Sequence, residues 1–180
     1  VKPNIDNEKY IGIYNEEESM YKITRKSDNL QGGWIEKESN LSIYGDCWIY
    51  GNAKVYGNAE IYGDAKVLNK AEVCGDARVF GDAIVSDNAR VSSDAEVYGY
   101  AWIFGNAEIK KSDDYVVFKN TTTSRRYFTY IFPQDSWIIG CFTGNTDDLI
   151  NHLESNGNEE QRKEYKLYIE LVKKLKKMKG

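Results

Sequence analysis

Residues 43–66 read IYGDCW IYGNAK VYGNAE IYGDAK, and the six-residue phrase continues as VLNKAE VCGDAR VFGDAI VSDNAR VSSDAE VYGYAW IFGNAE to Glu108. Every one of these eleven hexads begins with Ile or Val, and ten carry Ala at the fifth position, with Cys47 in the other. A period of six excludes an amphipathic helix, whose apolar residues return every 3.6 positions. Within a hexad, Ala, a polar residue, Ile or Val, and a large residue alternate inward and outward, as in a short strand with one buried face. The two remaining positions are mostly Gly-Asp or Gly-Asn, which accept a left-handed backbone at a corner. Strand plus corner predicts a triangular coil of three hexads per turn. The array then makes about three and two-thirds turns of a left-handed parallel β-helix, each burying its inner face only by stacking on the next.

A turn of three hexads fixes which outward side chains stack. One flat face carries Trp48 and Tyr50, then Lys66 and Leu68, Ile84 and Ser86, Trp102 and Phe104. The second carries Lys54, Glu72, Arg90 and Glu108 in one row. The third carries Glu60, Arg78 and Glu96 beside an aromatic ladder of Tyr44, Tyr62, Phe80 and Tyr98. Alternating charges suit two wetted faces. The first face is an apolar stripe, which on a protein surface marks a contact. It is covered either by the chain's own C-terminal segment or by another subunit; Trp48, Tyr50, Leu68, Ile84, Trp102 and Phe104 are the expected oligomer interface.

The hexads resemble the hexapeptide-repeat superfamily, which includes acyltransferases and the gamma class of carbonic anhydrases. That resemblance implies a trimer. With the leader GGWIEKESNLS (Gly32–Ser42), and with Ser124-Arg125, Gly140-Cys141-Phe142, Gly144 and Glu164-Tyr165, the chain is similar to a group of hexapeptide-repeat proteins from phages, prophages and bacterial genomes. This implies a mobile-element origin and brings no activity with it.

The flanking segments divide the chain into an N-terminal hairpin and coil cap (1–42), the β-helix (43–111) and a C-terminal α+β unit (112–180). Short alternating stretches at Tyr10–Tyr14 and Tyr21–Thr24 predict the hairpin, and the leader is expected to close the open end of the coil. After Ile109, strands are expected at Tyr115–Lys119, Tyr127–Phe132 and Trp137–Phe142, with Cys141 packed inside the last. Thr146 is expected to cap a short helix that buries Leu149, Ile150 and Leu153 and stops at Asn156-Gly157-Asn158. A second helix follows from about Glu159 to Lys177, with Tyr165, Tyr168, Val172 and Leu175 on one side. Its basic end, Lys173 to Lys179, reads as a solvated, dipole-matched terminus, and nucleic acid is not expected as a partner.

The net charge of −4 selects no class of partner, and three scattered cysteines give neither a disulfide framework nor a zinc spacing. There is no run of eighteen apolar residues and no signal-like start, so a cytoplasmic protein is expected, in the host cytoplasm if phage-encoded. The one histidine, His152, lies outside the coil. The acyltransferases of the superfamily use a histidine base and the carbonic anhydrases three histidine ligands, so no catalytic residue, metal or cofactor is expected. The anion-friendly residues are Ser124, Arg125 and Arg126, with Gly144 and Asn145 at a helix start, and they are the expected ligand site. The function expected is that of an oligomeric, non-catalytic binding protein capturing a protein or small molecule such as a nucleotide. Inhibition of host defence is one such role; a structural or assembly role is the alternative, and an acyltransferase with another base a lesser one.

Overall fold

In the computed structural model, which describes residues 2–179, the chain forms two compact units, Val1–Asp114 and Tyr115–Gly180. The first begins with β1 (Ile5–Asp6), β2 (Tyr10–Asn15), β3 (Met20–Arg25) and β4 (Gln31–Ile35), an antiparallel meander. Two-residue strands follow, one per hexad: β5 (Trp48–Ile49), β6 (Lys54–Val55), β7 (Glu60–Ile61), β8 (Lys66–Val67), β9 (Glu72–Val73), β10 (Arg78–Val79), β11 (Ile84–Val85), β12 (Arg90–Val91), β13 (Glu96–Val97), β14 (Trp102–Ile103) and β15 (Glu108–Ile109). Each pairs in parallel with the strand three hexads away, so Trp48, Lys66, Ile84 and Trp102 align, as do Lys54, Glu72, Arg90 and Glu108. The result is a parallel β-solenoid of about four turns.

The hexad positions explain this winding. The first-position Ile or Val from Ile49 to Ile103 and nearly every fifth-position Ala are fully buried, and burial is worth about 1.5–3 kcal/mol per branched side chain. Backbone groups are satisfied between turns, as in Lys66 N–H to Ala83 O (2.9 Å) and Ile84 N–H to Ala101 O (2.9 Å). The third residue of every hexad has a left-handed backbone, including Asn69 (φ 62°), Asp87 (φ 62°) and Ser93 (φ 61°), where glycine is missing. At Gly63 (φ +67°) a side chain would also stand 3.0 Å from the next corner's Gly81 nitrogen. Conformation and stacking both demand glycine there.

The leader is part of the solenoid wall. Strand β4 pairs in parallel with β6, bringing Trp34 beside Lys54. Gly32 and Gly33 permit that approach, since a Cβ on Gly33 would sit 2.5 Å from the Ala53 carbonyl oxygen. Asn40 is buried; its Oδ1 accepts from the Glu36 and Lys37 N–H groups, and its Nδ2 donates to the Gly57 and Ala59 carbonyls. Leu41 fills the inward place below the first hexad.

The second unit is an antiparallel sheet, β16 (Tyr115–Lys119), β17 (Tyr127–Ile131), β18 (Ser136–Ile139) and β19 (Phe142–Gly144), followed by α1 (Thr146–Asn156) and α2 (Glu159–Lys179). Where one strand is predicted over Trp137–Phe142, the left-handed Gly140 (φ 58°) folds the chain into a hairpin, and Cys141 is exposed at its tip instead of packed inside. The cap of α1 is Asn145 instead of Thr146. Its side chain accepts from Asp148 N–H, and the Asp148 carboxylate accepts from Asn145 N–H. Phe128, Tyr130, Trp137, Leu149, Leu153, Tyr165, Ile169 and Val172 make one core.

Candidate binding surfaces

The two charged solenoid faces use their ladders sparingly. Arg90 pairs with Glu72, and Arg78 Nη1 lies 3.2 Å from Glu96. Lys54 turns to Glu18 (2.6 Å) and Glu108 to Lys110 (2.9 Å). Such exposed pairs contribute about 0–1 kcal/mol each. The ladder beside them stacks at the solenoid's own pitch, with ring centroids 4.8 Å apart for Tyr62–Phe80 and 5.1 Å for Phe80–Tyr98. Stacking covers ring faces between Tyr62, Phe80 and Tyr98, while Tyr44, 76 % exposed, stands outside these stacked pairs.

The apolar face, β5–β8–β11–β14, differs. Leu68, Ile84, Trp102 and Phe104 are half-buried, and the Trp102 and Phe104 rings stack at 5.7 Å. Trp48, assigned to the same outward row, is 0 % exposed. The N-terminal meander encloses it: the Tyr10 ring meets it edge-on at 6.2 Å, and the Arg25 guanidinium lies 5.3 Å from its centre. Its Nε1 is buried without a hydrogen-bond partner. Trp48 is therefore core. Tyr50 is half-buried where it bridges to Gly32. The outward stripe begins only above the first turn.

The predicted anion cluster does not assemble. Ser124, Arg125 and Arg126 are exposed in the β16–β17 loop, beyond the Lys119–Tyr127 pair. Gly144 pairs with Trp137, which pairs with Tyr130, further along β17 and on the far edge of the sheet. The two halves thus lie at opposite edges and opposite ends. The start of α1 is already supplied with anions, since the Asp148 carboxylate takes the Asn145 N–H, and a Cβ on Gly144 would meet Asp148 at 2.9 Å.

The β16–β17 loop has an anion of its own. The buried Glu164 carboxylate of α2 accepts from the N–H groups of Thr121 (2.7 Å), Thr122 (3.2 Å) and Thr123 (3.3 Å) and from the Thr123 hydroxyl (2.6 Å). Burial pushes this carboxyl up, but these hydrogen bonds outweigh burial and hold it far below the usual carboxylate range. Asn120, also buried, accepts from the Ser124 and Tyr165 hydroxyls at 3.1 and 3.2 Å. Ser124-Arg125 and Glu164-Tyr165, two separate motifs in the sequence, are one hydrogen-bonded unit that fixes the loop and leaves both arginines outward.

A second polar centre closes the sheet's other end. The Asp135 Oδ1 accepts from the Tyr130 hydroxyl (2.5 Å), the Thr146 hydroxyl (2.9 Å) and Lys176 Nζ (2.9 Å), while Trp137 Nε1 donates to Thr146 (3.0 Å). Burial and the Asp135 bond push the Tyr130 hydroxyl far up, so it remains a donor. This centre was not legible as a site; its one signal is an Asp in a turn between two aromatic strands. His152 lies exposed on α1 with its ring 5.0 Å from Phe142. Among the described residues, no group of three or more His, Cys, Asp or Glu side chains could hold a metal ion, and no helix is long and apolar enough to cross a membrane. No family model matches the chain, and no curated protein matches its sequence.

Proposed function

We propose that the chain is a non-catalytic, oligomeric binding protein: three solenoids associate through the β5–β8–β11–β14 face, and their C-terminal units capture a protein or small-molecule partner. The observation that carries this reading is the replacement of charge by apolar bulk at Ile84 and Trp102, whose counterparts on the other two faces are charged, beside the apolar Leu68 and Phe104. A half-exposed apolar strip on an otherwise charged prism is a contact surface. The exposed Arg125 and Arg126 are the groups best placed to meet an acidic partner. The resemblance to phage and prophage proteins suits an inhibitor of host defence, acting in the host cytoplasm by sequestering a protein or nucleotide.

Leu68→Asp together with Ile84→Asp tests the association, because both side chains are outward and the inner core is untouched. Light scattering is expected to show the molar mass falling by a factor of three; an unchanged mass rejects this face as the interface. Trp48→Asp is unsuitable, since it would unseat the meander. For capture, a screen against nucleotides and defence proteins of a bacterial host supplies the partner. Arg125→Ala and Arg126→Ala are each expected to weaken its binding about tenfold, and unchanged affinity in both removes this loop from the site. Saturable binding of acetyl-CoA to the oligomer would favour the acyltransferase reading instead.

A further inference from the structure

We infer that the second unit carries a pocket for one small, neutral aromatic molecule, of which a monocyclic phenol is the simplest form. The pocket has a volume of about 140 Å³ and lies where α1 meets the β18–β19 hairpin and the start of α2. Its walls are apolar: Ile139 and Phe142 come from the hairpin, Leu149 and Leu153 from α1, and Tyr165 from α2. The Tyr165 hydroxyl is already spent on Asn120. A cavity of roughly 150 Å³ lined by Leu, Ile and Phe holds one benzene molecule, so this space matches a single six-membered ring.

Polar groups accompany those walls. His152 and Asn156 are exposed and Gln161 is half-buried, which puts them at the mouth. Gln161 Oε1 accepts from Asn158 N–H, while its Nε2 has no partner among the described residues. Asn156 Nδ2 approaches His152 Nδ1 at 3.5 Å, and Asn156 Oδ1 and His152 Nε2 are likewise unpartnered among the described residues. Donor and acceptor capacity together suit a hydroxyl, which can act as both. The His152 ring, 5.0 Å from that of Phe142, adds an aromatic edge beside which a ligand ring can pack.

The lining also decides the ligand's charge. Among the described residues, no Asp, Glu, Lys or Arg lines the pocket. An ionised ligand would therefore give up its water with no opposite charge to replace it. Arg162, next in sequence to Gln161, is engaged elsewhere: Nε donates to the Leu153 carbonyl (3.0 Å) and Nη2 to that of Gly157 (2.7 Å). Those bonds pin the α1–α2 turn, and Asn158 and Gln161 cap each other across it. The mouth is thus formed before a ligand arrives, which lowers the cost of binding.

This site is independent of the Arg125–Arg126 loop and of self-association, so its failure would leave that reading standing. Phenol titrated into isotope-labelled protein should give saturable NMR shifts at the amides of Ile139, Leu149 and Gln161, with a Kd of about 1 mM. Benzoate and benzylamine, similar in size but charged, should bind more weakly by about tenfold. Ile139→Trp fills the space and should abolish the shifts, with circular dichroism reporting whether it folds. His152→Ala changes an exposed helix position, so the fold is kept, and phenol should bind about threefold more weakly. No saturable shift up to about 10 mM phenol overturns the proposal. So do benzoate or benzylamine binding as tightly as phenol, an Ile139→Trp variant that folds and still binds, and unchanged affinity in His152→Ala.

Discussion

The solenoid and the C-terminal unit solve the same problem of buried polar groups in opposite ways. In the solenoid, backbone groups pair turn to turn, inner side chains are nearly all Ala, Val and Ile, and each layer repeats the one below. In the C-terminal unit, two buried or half-buried carboxylates, Asp135 and Glu164, tie together segments about forty residues apart. A repeat spreads its stability over equal layers, so losing one contact is local. A single core with two polar knots concentrates it, so one deletion is felt across the unit.

The sharpest test of this contrast is Trp137→Ala, which removes the largest fully buried side chain of the second unit and the donor to Thr146. A loss of about 3–5 kcal/mol is expected. Hydrogen exchange should show residues 115–179 opening while the solenoid amides stay protected; joint opening would mean the units are not independent. Glu164→Gln comes next, at about 2 kcal/mol, because the threonine N–H groups lose a charged acceptor. Its pH signature has a definite sign. Glu164 is held below its unfolded value of 4.5, so its contribution is fully present above that pH and is lost as the pH falls below it toward the folded value. Acid titration followed by near-ultraviolet circular dichroism should therefore loosen the wild type below about pH 4.5, and Glu164→Gln should flatten that limb.

Within the solenoid the effects are smaller and graded by position. Gly63→Ala and Gly99→Ala both place a side chain on a left-handed backbone, a cost of about 1–2 kcal/mol. Only Gly63 has a neighbour in the way, 3.0 Å from its would-be Cβ, whereas nothing lies within 4 Å at Gly99. Thermal melts should rank Gly63→Ala as the less stable, and equal melting points would show that the stacked corners give way freely. Arg78→Ala is expected to cost under about 1 kcal/mol, because its bond to Glu96 is exposed.

Legibility followed the same divide. Eleven hexads display their inward and outward positions directly, so the solenoid's register could be written from residues 43–108 alone. The covering of Trp48 could not, because it depends on where Tyr10 and Arg25 return after a meander, and no local pattern encodes that. In the second unit the helices and the core of Leu149, Leu153, Tyr165 and Val172 were readable from 3.6-residue spacing. The break at Gly140 has no local signature, since one glycine among apolar residues suits a bulge as well as a turn. Glu164 stands out in the sequence only as part of the Glu164-Tyr165 pair, with no local sign of what it holds. Its role exists only because the Thr121–Thr123 amides converge on it from more than forty positions earlier.

The joining of β4 to β6 bears on how the chain is wound. A parallel coil cannot begin by itself, because its first turn has no earlier turn against which to pair. The Gly32–Ile35 segment, already held in an antiparallel meander that forms from local hairpins, supplies that missing edge. Each later hexad then finds its pairing partner eighteen residues behind, so the search for contacts stays short for the whole length of the array. Winding is therefore primed at one end, and the chain can lay down turns in the order in which a ribosome delivers them.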